Sequence, residues 1–229
     1  MDALVINNLN KVNKKQSVLE SLDLVVEENK LVVFLSSYEI KRCSLIRILG
    51  LSDYKFTGSI KFFDQDITAL DKNTISYMPG NDGLSEHLTV FENMRLMAKI
   101  RGFKEKEAIE LVNSFGEKYS LKNRFYDKVK TLSLSLKKLV SFVMTIISDS
   151  KVMILNDPFK NIDIEMRNKL IGYIEELKGS KTIIMSTELP ECAKVLADEL
   201  YIIKDKLIKA DTNLSSDELL NIMLNREVS

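Results

Sequence analysis

The 229 residues contain no tryptophan, one histidine, two cysteines, three prolines and eight glycines. With so few breaking residues and no compositionally biased stretch, nothing marks a flexible linker, and the chain reads as one folding unit without internal repeats. The two cysteines, Cys43 and Cys192, fit a reducing compartment, and no disulfide is expected between them. Neither sign of charge is in excess: Lys plus Arg and Asp plus Glu number 33 each, so no global attraction to nucleic acid or anionic lipid follows. The first residues lack a basic segment followed by an apolar stretch and a small-residue cleavage site, which leads to the expectation of a cytosolic protein. The longest apolar run, around residues 139–147, falls well short of the roughly 18 apolar residues of a spanning helix. Direct membrane insertion is therefore not expected, and any membrane role would come through a partner.

What the chain does contain is ordered alternation. Residues 3–6 and 22–27 have the pattern of half-buried strands, and Leu31–Leu35 is a short apolar run suited to a strand buried on both faces. A loop follows, then helical spacing of Leu45, Ile46, Ile48 and Leu49, with Gly50 near the end. Residues 59–63 and 74–78 continue a β-rich first third, interrupted by turn-forming Asp64 and Asp66. Thr89 and Glu92 have the spacing of a capping box, in which hydroxyl and carboxylate satisfy each other's backbone donors at a helix start. Helical patterns follow to about residue 100, over 104–119 and over 133–148. Strand and helix then alternate again: residues 152–155, 163–177, 182–185, a short helix at Pro190, a strand at 200–203, and a last helix opened by Ser215 and Glu218. Such alternation implies an α/β fold with a largely parallel sheet covered on both faces, the early strands forming a separate antiparallel layer.

The order Leu31-Val-Val-Phe-Leu35, a loop, Ser44-Leu-Ile-Arg-Ile-Leu-Gly50, then Gly58-Ser-Ile-Lys-Phe and Asp66-Ile-Thr resembles the opening of an ATP-binding-cassette domain. Further segments keep the family's order over nearly the whole chain: His87-Leu-Thr-Val-Phe-Glu-Asn93, Leu132-Ser133, Val152-Met-Ile-Leu-Asn-Asp-Pro158, Asn161-Ile-Asp163 and Tyr201-Ile-Ile-Lys-Asp205. The resemblance implies a P-loop NTPase-like fold, a mostly parallel sheet with an antiparallel β layer and a helical subdomain. Residues 1–86 and 149–229 would form the α/β core with its β layer, and residues 87–148 the helical subdomain. Ile75-Ser-Tyr-Met-Pro79 before Glu86-His-Leu-Thr looks most like cassettes of exporters.

The nucleotide-handling positions depart from the family. A phosphate-binding loop needs glycines so that left-handed backbone can bring several N–H groups against phosphate. The matching stretch here reads Ser36-Ser-Tyr-Glu-Ile-Lys41-Arg42-Cys43-Ser44, with Ser36 and Lys41 at the glycine positions. A side chain forced into left-handed geometry costs roughly 1–2 kcal/mol, so the loop is expected to take another shape. Glu39 adds negative charge where phosphates would lie. Arg42 keeps a positive charge at the lysine position with a different shape, and Cys43 offers sulfur where hard Mg²⁺ prefers oxygen. Ser44 alone is conservative.

The resemblance places Asn156-Asp157 at the acidic pair that holds magnesium and polarises water. Asn156 removes a charge, and Asp157, shorter than Glu by one methylene, is expected to cap or hydrogen-bond the turn at Pro158. Glu188 stands at the position of a phosphate-contacting histidine, and Gly80 at that of a Gln or Glu linking nucleotide to the membrane subunit. Asn13 lies near the place of an aromatic that stacks on adenine. His87, the only histidine, is read as structural. The signature reads Ser133, Leu134, Ser135, Leu136, with apolar bulk at Leu134 and Leu136 where a phosphate should approach.

The expectation is a scaffold that keeps its packing residues and loses its phosphate chemistry, with no metal site and weak or absent binding of ATP and magnesium. Its partners would be a second cassette, in a homo- or heterodimer through Asn161 and Asp163, and an integral membrane permease seated near Leu84, His87 and Phe91. Nucleic acid is not expected as a partner. The place would be cytoplasmic, peripheral on the inner face of the cell membrane. Two alternatives remain open: a slow ATPase using Arg42, Ser44 and Asp157, and a cytosolic regulator detached from transport.

Overall fold

The computed structural model describes residues 1–204 and 206–224, with Lys72 described by its backbone alone. Asp205, the end of one expected motif segment, lies outside the described residues, as do the last five residues of the expected core.

The antiparallel layer is built by β1 (Asp2–Asn13), β2 (Gln16–Glu27), β4 (Thr57–Phe62) and β5 (Gln65–Asp66), in the order β2-β1-β4-β5. Strands β1 and β2 form one long hairpin, well beyond the short segments that alternation predicts. Its turn, Lys14-Lys15, has both residues at positive φ, 45° and 68°. Hairpin turns of this hand normally use Asn or Gly, so the sequence carries no turn signal there.

The second sheet has the order β10-β9-β3-β8-β7-β6, comprising β3 (Leu31–Leu35), β6 (Ile75–Met78), β7 (Val152–Asn156), β8 (Thr182–Thr187), β9 (Glu199–Ile203) and β10 (Leu207–Ala210). Only β10 runs antiparallel within it. Residues 75–78, the last strand of the β-rich first third, join this parallel sheet, β6 pairing with β7 from Ile75–Val152 to Met78–Leu155. The β10 hairpin was not expected, since its burial is only partial and gives no clear apolar period.

Among the described residues there are seven α-helices: α1 (Glu39–Leu49), α2 (Val90–Ile100), α3 (Glu105–Lys118), α4 (Leu134–Ile147), α5 (Ile164–Leu177), α6 (Pro190–Leu196) and α7 (Ser216–Leu224). Both expected capping boxes form. Thr89 Oγ1 accepts from Glu92 N at 3.2 Å while Glu92 Oε2 accepts from Thr89 N at 2.7 Å, and Ser215 and Glu218 repeat the arrangement at 3.2 and 2.7 Å. Gly50 is not needed for a left-handed helix end, its φ being −80°; a Cβ there would lie 2.5 Å from the Tyr77 ring.

The parallel strands divide the core by simple alternation. Leu31, Val33, Leu35, Met153, Leu155, Ile183, Met185, Leu200 and Ile202 face one cluster with helices α2 to α7. Val32, Phe34, Val152, Ile154, Ile184, Tyr201 and Ile203 face the other, against α1 and the antiparallel layer. A strand buried on both faces must be apolar throughout, which is why β3, β7 and β8 read as unbroken hydrophobic runs. The carboxyl ends of β3, β7 and β8 then open toward one edge, where α/β sheets place their sites.

Candidate functional site

After β3 the chain has only Ser36, Ser37 and Tyr38 before α1 begins at Glu39. Three residues that would extend a phosphate loop, Glu39, Ile40 and Lys41, are helical instead. No residue from Ser36 to Ser44 has positive φ, so the concave array of N–H groups that cradles phosphate is not formed. Lys41 N and Arg42 N both donate to Tyr38 O, at 3.1 and 3.2 Å. The expected change of loop shape is thus an N-terminal extension of the helix. Ser36 is buried, its hydroxyl donating to Ile203 O at 2.7 Å and accepting from Tyr38 N at 3.1 Å.

Arg42 lies at the centre of the site with none of its surface exposed. Its Nη1 donates to Ser36 O and its Nη2 to Asp157 Oδ2, while Glu188 Oε2 sits 3.4 Å from Nη2. The guanidinium joins the ends of β3, β7 and β8, and its Nε has no partner. Asp157 therefore does not cap the turn at Pro158 with its side chain, as expected from sequence; burial makes an ionic partner worth more than a local hydrogen bond. The turn closes through backbone, Lys160 N donating to Asp157 O at 3.2 Å, with Asp157 at φ 53°. Burial pushes the Asp157 carboxyl above the usual carboxylate range, and the Arg42 charge opposes that rise.

Asn156 is matched to neutral neighbours. Its Oδ1 accepts from Cys43 Sγ at 3.5 Å and Ser186 Oγ at 3.3 Å, and its Nδ2 lies 3.5 Å from the Tyr77 hydroxyl. Gly80 packs directly against it: a Cβ on Gly80 would stand 3.2 Å from Asn156 Nδ2, so a longer side chain there requires Asn156 to move. Burial raises the Cys43 thiol above its ordinary value, with Arg42 acting in the opposite direction.

These groups border a cleft of about 640 Å³ whose walls include Glu39, Cys43, Tyr77, Gly80, Asn156, Asp157 and Asn161. Leu134 and Lys138 of α4 close its far side. Three ion pairs border the cleft, Glu39 with Lys160 at 2.6 Å, Asp82 with Lys138 at 2.9 Å, and Asp157 with Arg42, and Arg47 lines it as well. A second cleft, of about 560 Å³, holds Ser44 and Asn13 beside Lys11, which is buried against Asp53 at 2.8 Å.

The signature positions separate. Ser133 caps α4, accepting from Leu136 N at 3.3 Å, and Ser135 donates to Asp163 Oδ2. Leu136 packs against the core, so of the two expected apolar intrusions only Leu134 projects into the cleft. Asp163 caps α5, accepting from Met166 N at 2.8 Å. Lys41 points elsewhere, Nζ donating to Lys204 O at 2.7 Å. Leu84 and His87 precede α2 and Phe91 lies in its first turn, none of them lining the cleft: His87 is exposed, whereas Leu84 and Phe91 are partly buried, Phe91 edge-on to Phe125 at 5.3 Å.

Sequence reasoning missed Lys138, Asp82, Lys160 and Tyr77. A charged residue at a buried position of an otherwise apolar helix was the available signal for Lys138, which is 4% exposed and donates to Gly80 O at 2.9 Å.

The sequence model of the ABC transporter family matches residues 42–160, more than half of the chain. The chain belongs to the ABC transporter family. Its fold, a parallel sheet with an antiparallel layer and helical elements, is that of the family's ATP-binding cassette. An uncharacterized ABC transporter ATP-binding protein of Methanocaldococcus jannaschii is 26% identical over 87% of this chain and 73% of its own length. The spermidine/putrescine import ATP-binding protein of Spiroplasma citri is 26% identical over 90% of this chain, which spans 60% of that protein. Mouse ATP-binding cassette sub-family A member 6 is 24% identical over 91% of the chain, which covers only 13% of that longer protein. Among solved structures, a dimeric ATP-binding cassette in a post-hydrolysis state with ADP and phosphate superposes with a TM-score of 0.81, at 16% identity, over 93% of this chain and all of that one.

The residues present do not fit the magnesium nucleotide of the family. The cation at the lysine position is turned inward onto two carboxylates, the N–H cradle is replaced by a helical turn, and sulfur stands at the magnesium hydroxyl position.

Proposed function

We propose that this cassette is a non-hydrolysing subunit, a structural or regulatory partner of a second cassette and of a membrane permease at the inner face of the cell membrane. The observation that carries this reading is the buried pairing of Arg42 with Asp157 and Glu188. For Arg42 to meet a phosphate it must leave Asp157 buried without a partner, at about 3–5 kcal/mol. That penalty weakens affinity by roughly two to three and a half orders of magnitude. Two other cations of the cleft, Lys160 and Lys138, are held by Glu39 and Asp82.

Residual hydrolysis using Arg42, Ser44 and Asp157 would need Asp157 free to position water, whereas its carboxylate accepts from Arg42. The proposal places the permease helix near Leu84, His87 and Phe91, and export as the direction on the strength of residues 75–79; one relative is an import protein, so direction rests on that segment alone.

The deciding measurement is calorimetric titration of the purified chain with Mg-ATP to millimolar concentration beside an intact cassette. Heat from the control alone is expected. Saturable, magnesium-dependent binding to this chain overturns the reading. Co-purification with an integral membrane protein from native extracts checks the permease partner, and its absence would favour a cytosolic regulator.

A further inference from the structure

The chain leaves the parallel sheet at Met78, the end of β6, and enters α2 at Val90. The segment between has the composition of a hinge. Gly80 and Gly83 lie close together, and Asp82 at φ 67° and Gly83 at φ 64° are both left-handed. Glycine gives such a stretch its freedom, and a left-handed aspartate adds a cost that contacts elsewhere must offset. The structure ties the segment down on two sides. From α4, Lys138 Nζ donates to Gly80 O at 2.9 Å and pairs with the Asp82 carboxylate at 2.9 Å, and the buried Ser141 hydroxyl donates to Asp82 O at 2.6 Å. From α2, the buried Asn93 side chain accepts from Ser85 N at 2.9 Å and donates to Ser85 O at 3.1 Å. The strand itself is joined to the same helices: Arg101, just after α2, donates to Ile75 O at 3.0 Å, and Ser150, just after α4, donates to Ser76 Oγ at 2.7 Å.

From these contacts we infer that residues 79–85 form a strap which Lys138 latches shut without a ligand, fixing helices α2 to α4 on the sheet and setting one wall of the cleft. Pro79, Gly80, Asn81 and Asp82 are that wall. Lys138 is the latch because its position in α4 is almost wholly buried, where an ammonium is unfavourable unless its charge and its protons are both matched. The closed strap matches them with the Asp82 carboxylate and Gly80 O, and opening removes both at once. Lys137, the preceding residue, provides the contrast: it reaches Glu86 at 2.8 Å, a carboxylate whose side chain is 61% exposed, so water can replace that partner. A glycine-containing hinge is thereby held in one position by a buried charge. The latch goes beyond the nucleotide reading and does not depend on it, since every contact in it lies within the chain.

Amide hydrogen exchange of the free chain, resolved residue by residue by NMR, tests the latch. In the wild-type chain the Gly83 and Ser85 amides, donating to Asn81 O and Asn93 Oδ1 at 2.9 Å each, are expected to exchange slowly. Lys138→Met keeps a straight side chain and removes the charge; exchange over residues 80–83 should rise about tenfold or more, the effect of losing a charged hydrogen bond. Amides of β7 and β8 should keep their rates, because the opening is local. Lys137→Met should leave the segment unchanged. Asp82→Asn tolerates the left-handed backbone and keeps the Lys138 bond to Gly80, so it should move the same amides in the same direction, and it decides the matter if Lys138→Met does not fold. The latch is overturned by free exchange of the segment in the wild-type chain, by unchanged rates in both Lys138→Met and Asp82→Asn, by an equal rise in Lys137→Met, or by a rise shared equally with β7 and β8. Titration with Mg-ATP reads the non-hydrolysing proposal separately, so either can fail alone.

Discussion

Arg42 and Asp157 form a buried ion pair at the ends of the central strands. A cation in a phosphate loop is useful when it faces the cleft; here it closes the space between three strand ends, fully buried. Replacing it with alanine should cost about 3–5 kcal/mol in urea unfolding, because Asp157 is left buried and charged. Arg42→Met combined with Asp157→Asn should recover most of that loss, since Asn tolerates the φ of 53° and carries no charge. Failure of the double variant to recover stability would show that the pair does more than neutralise itself. The cysteines give a second residue-scale test. Cys192 is buried with its thiol pushed up to about 11, and Cys43 is half-buried with its thiol raised by burial. A thiol reagent at neutral pH should label Cys43 slowly and Cys192 only after unfolding, with the Cys43 rate still rising above the ordinary thiol range. The identity of these substitutions was legible in the sequence. Their contacts were not, because the carboxylate partners of Arg42 lie 115 and 146 residues away.

Helix starts are where sequence and structure agree best. Thr89 with Glu92, Ser215 with Glu218 and the Asp163 cap all form as local hydrogen bonds over three residues, which spacing alone can announce. Hydrogen bonds from backbone and hydroxyl donors hold Glu92 and Glu218 below their ordinary pKa, as the Ser135 hydroxyl does for Asp163. A carboxyl with a depressed folded-state pKa binds protons more readily when unfolded. Its stabilisation is therefore present above the unfolded value and lost as pH falls through the folded one. Melting temperature should decline below about pH 4, and Glu92→Gln with Glu218→Gln should flatten that decline. The β1–β2 hairpin and the lengthened α1 escaped the sequence reading for opposite reasons. A Lys-Lys turn hides a bend that glycine would have advertised, and the glycine-free loop supplied helix formers without saying how far the helix would extend.

At the scale of the whole molecule, two apolar clusters share one parallel sheet, and the site sits where the strands leave them. A ligand that binds the native state raises stability by mass action, about 2.7 kcal/mol at a hundred times its Kd. Millimolar Mg-ATP should leave the melting temperature unchanged, and a rise of several degrees would contradict the closed site. The alternation of strand and helix and the unbroken apolar runs made the cassette fold legible from sequence, and the missing glycines named the residues that stand in the loop, because period and residue type are properties of neighbours along the chain. Only the tertiary structure decided that Arg42 turns inward, that Leu136 packs while Leu134 projects, and that Lys138 reaches Gly80. Those outcomes depend on which distant groups the fold brings within reach and on the free energy of leaving a buried charge without a partner.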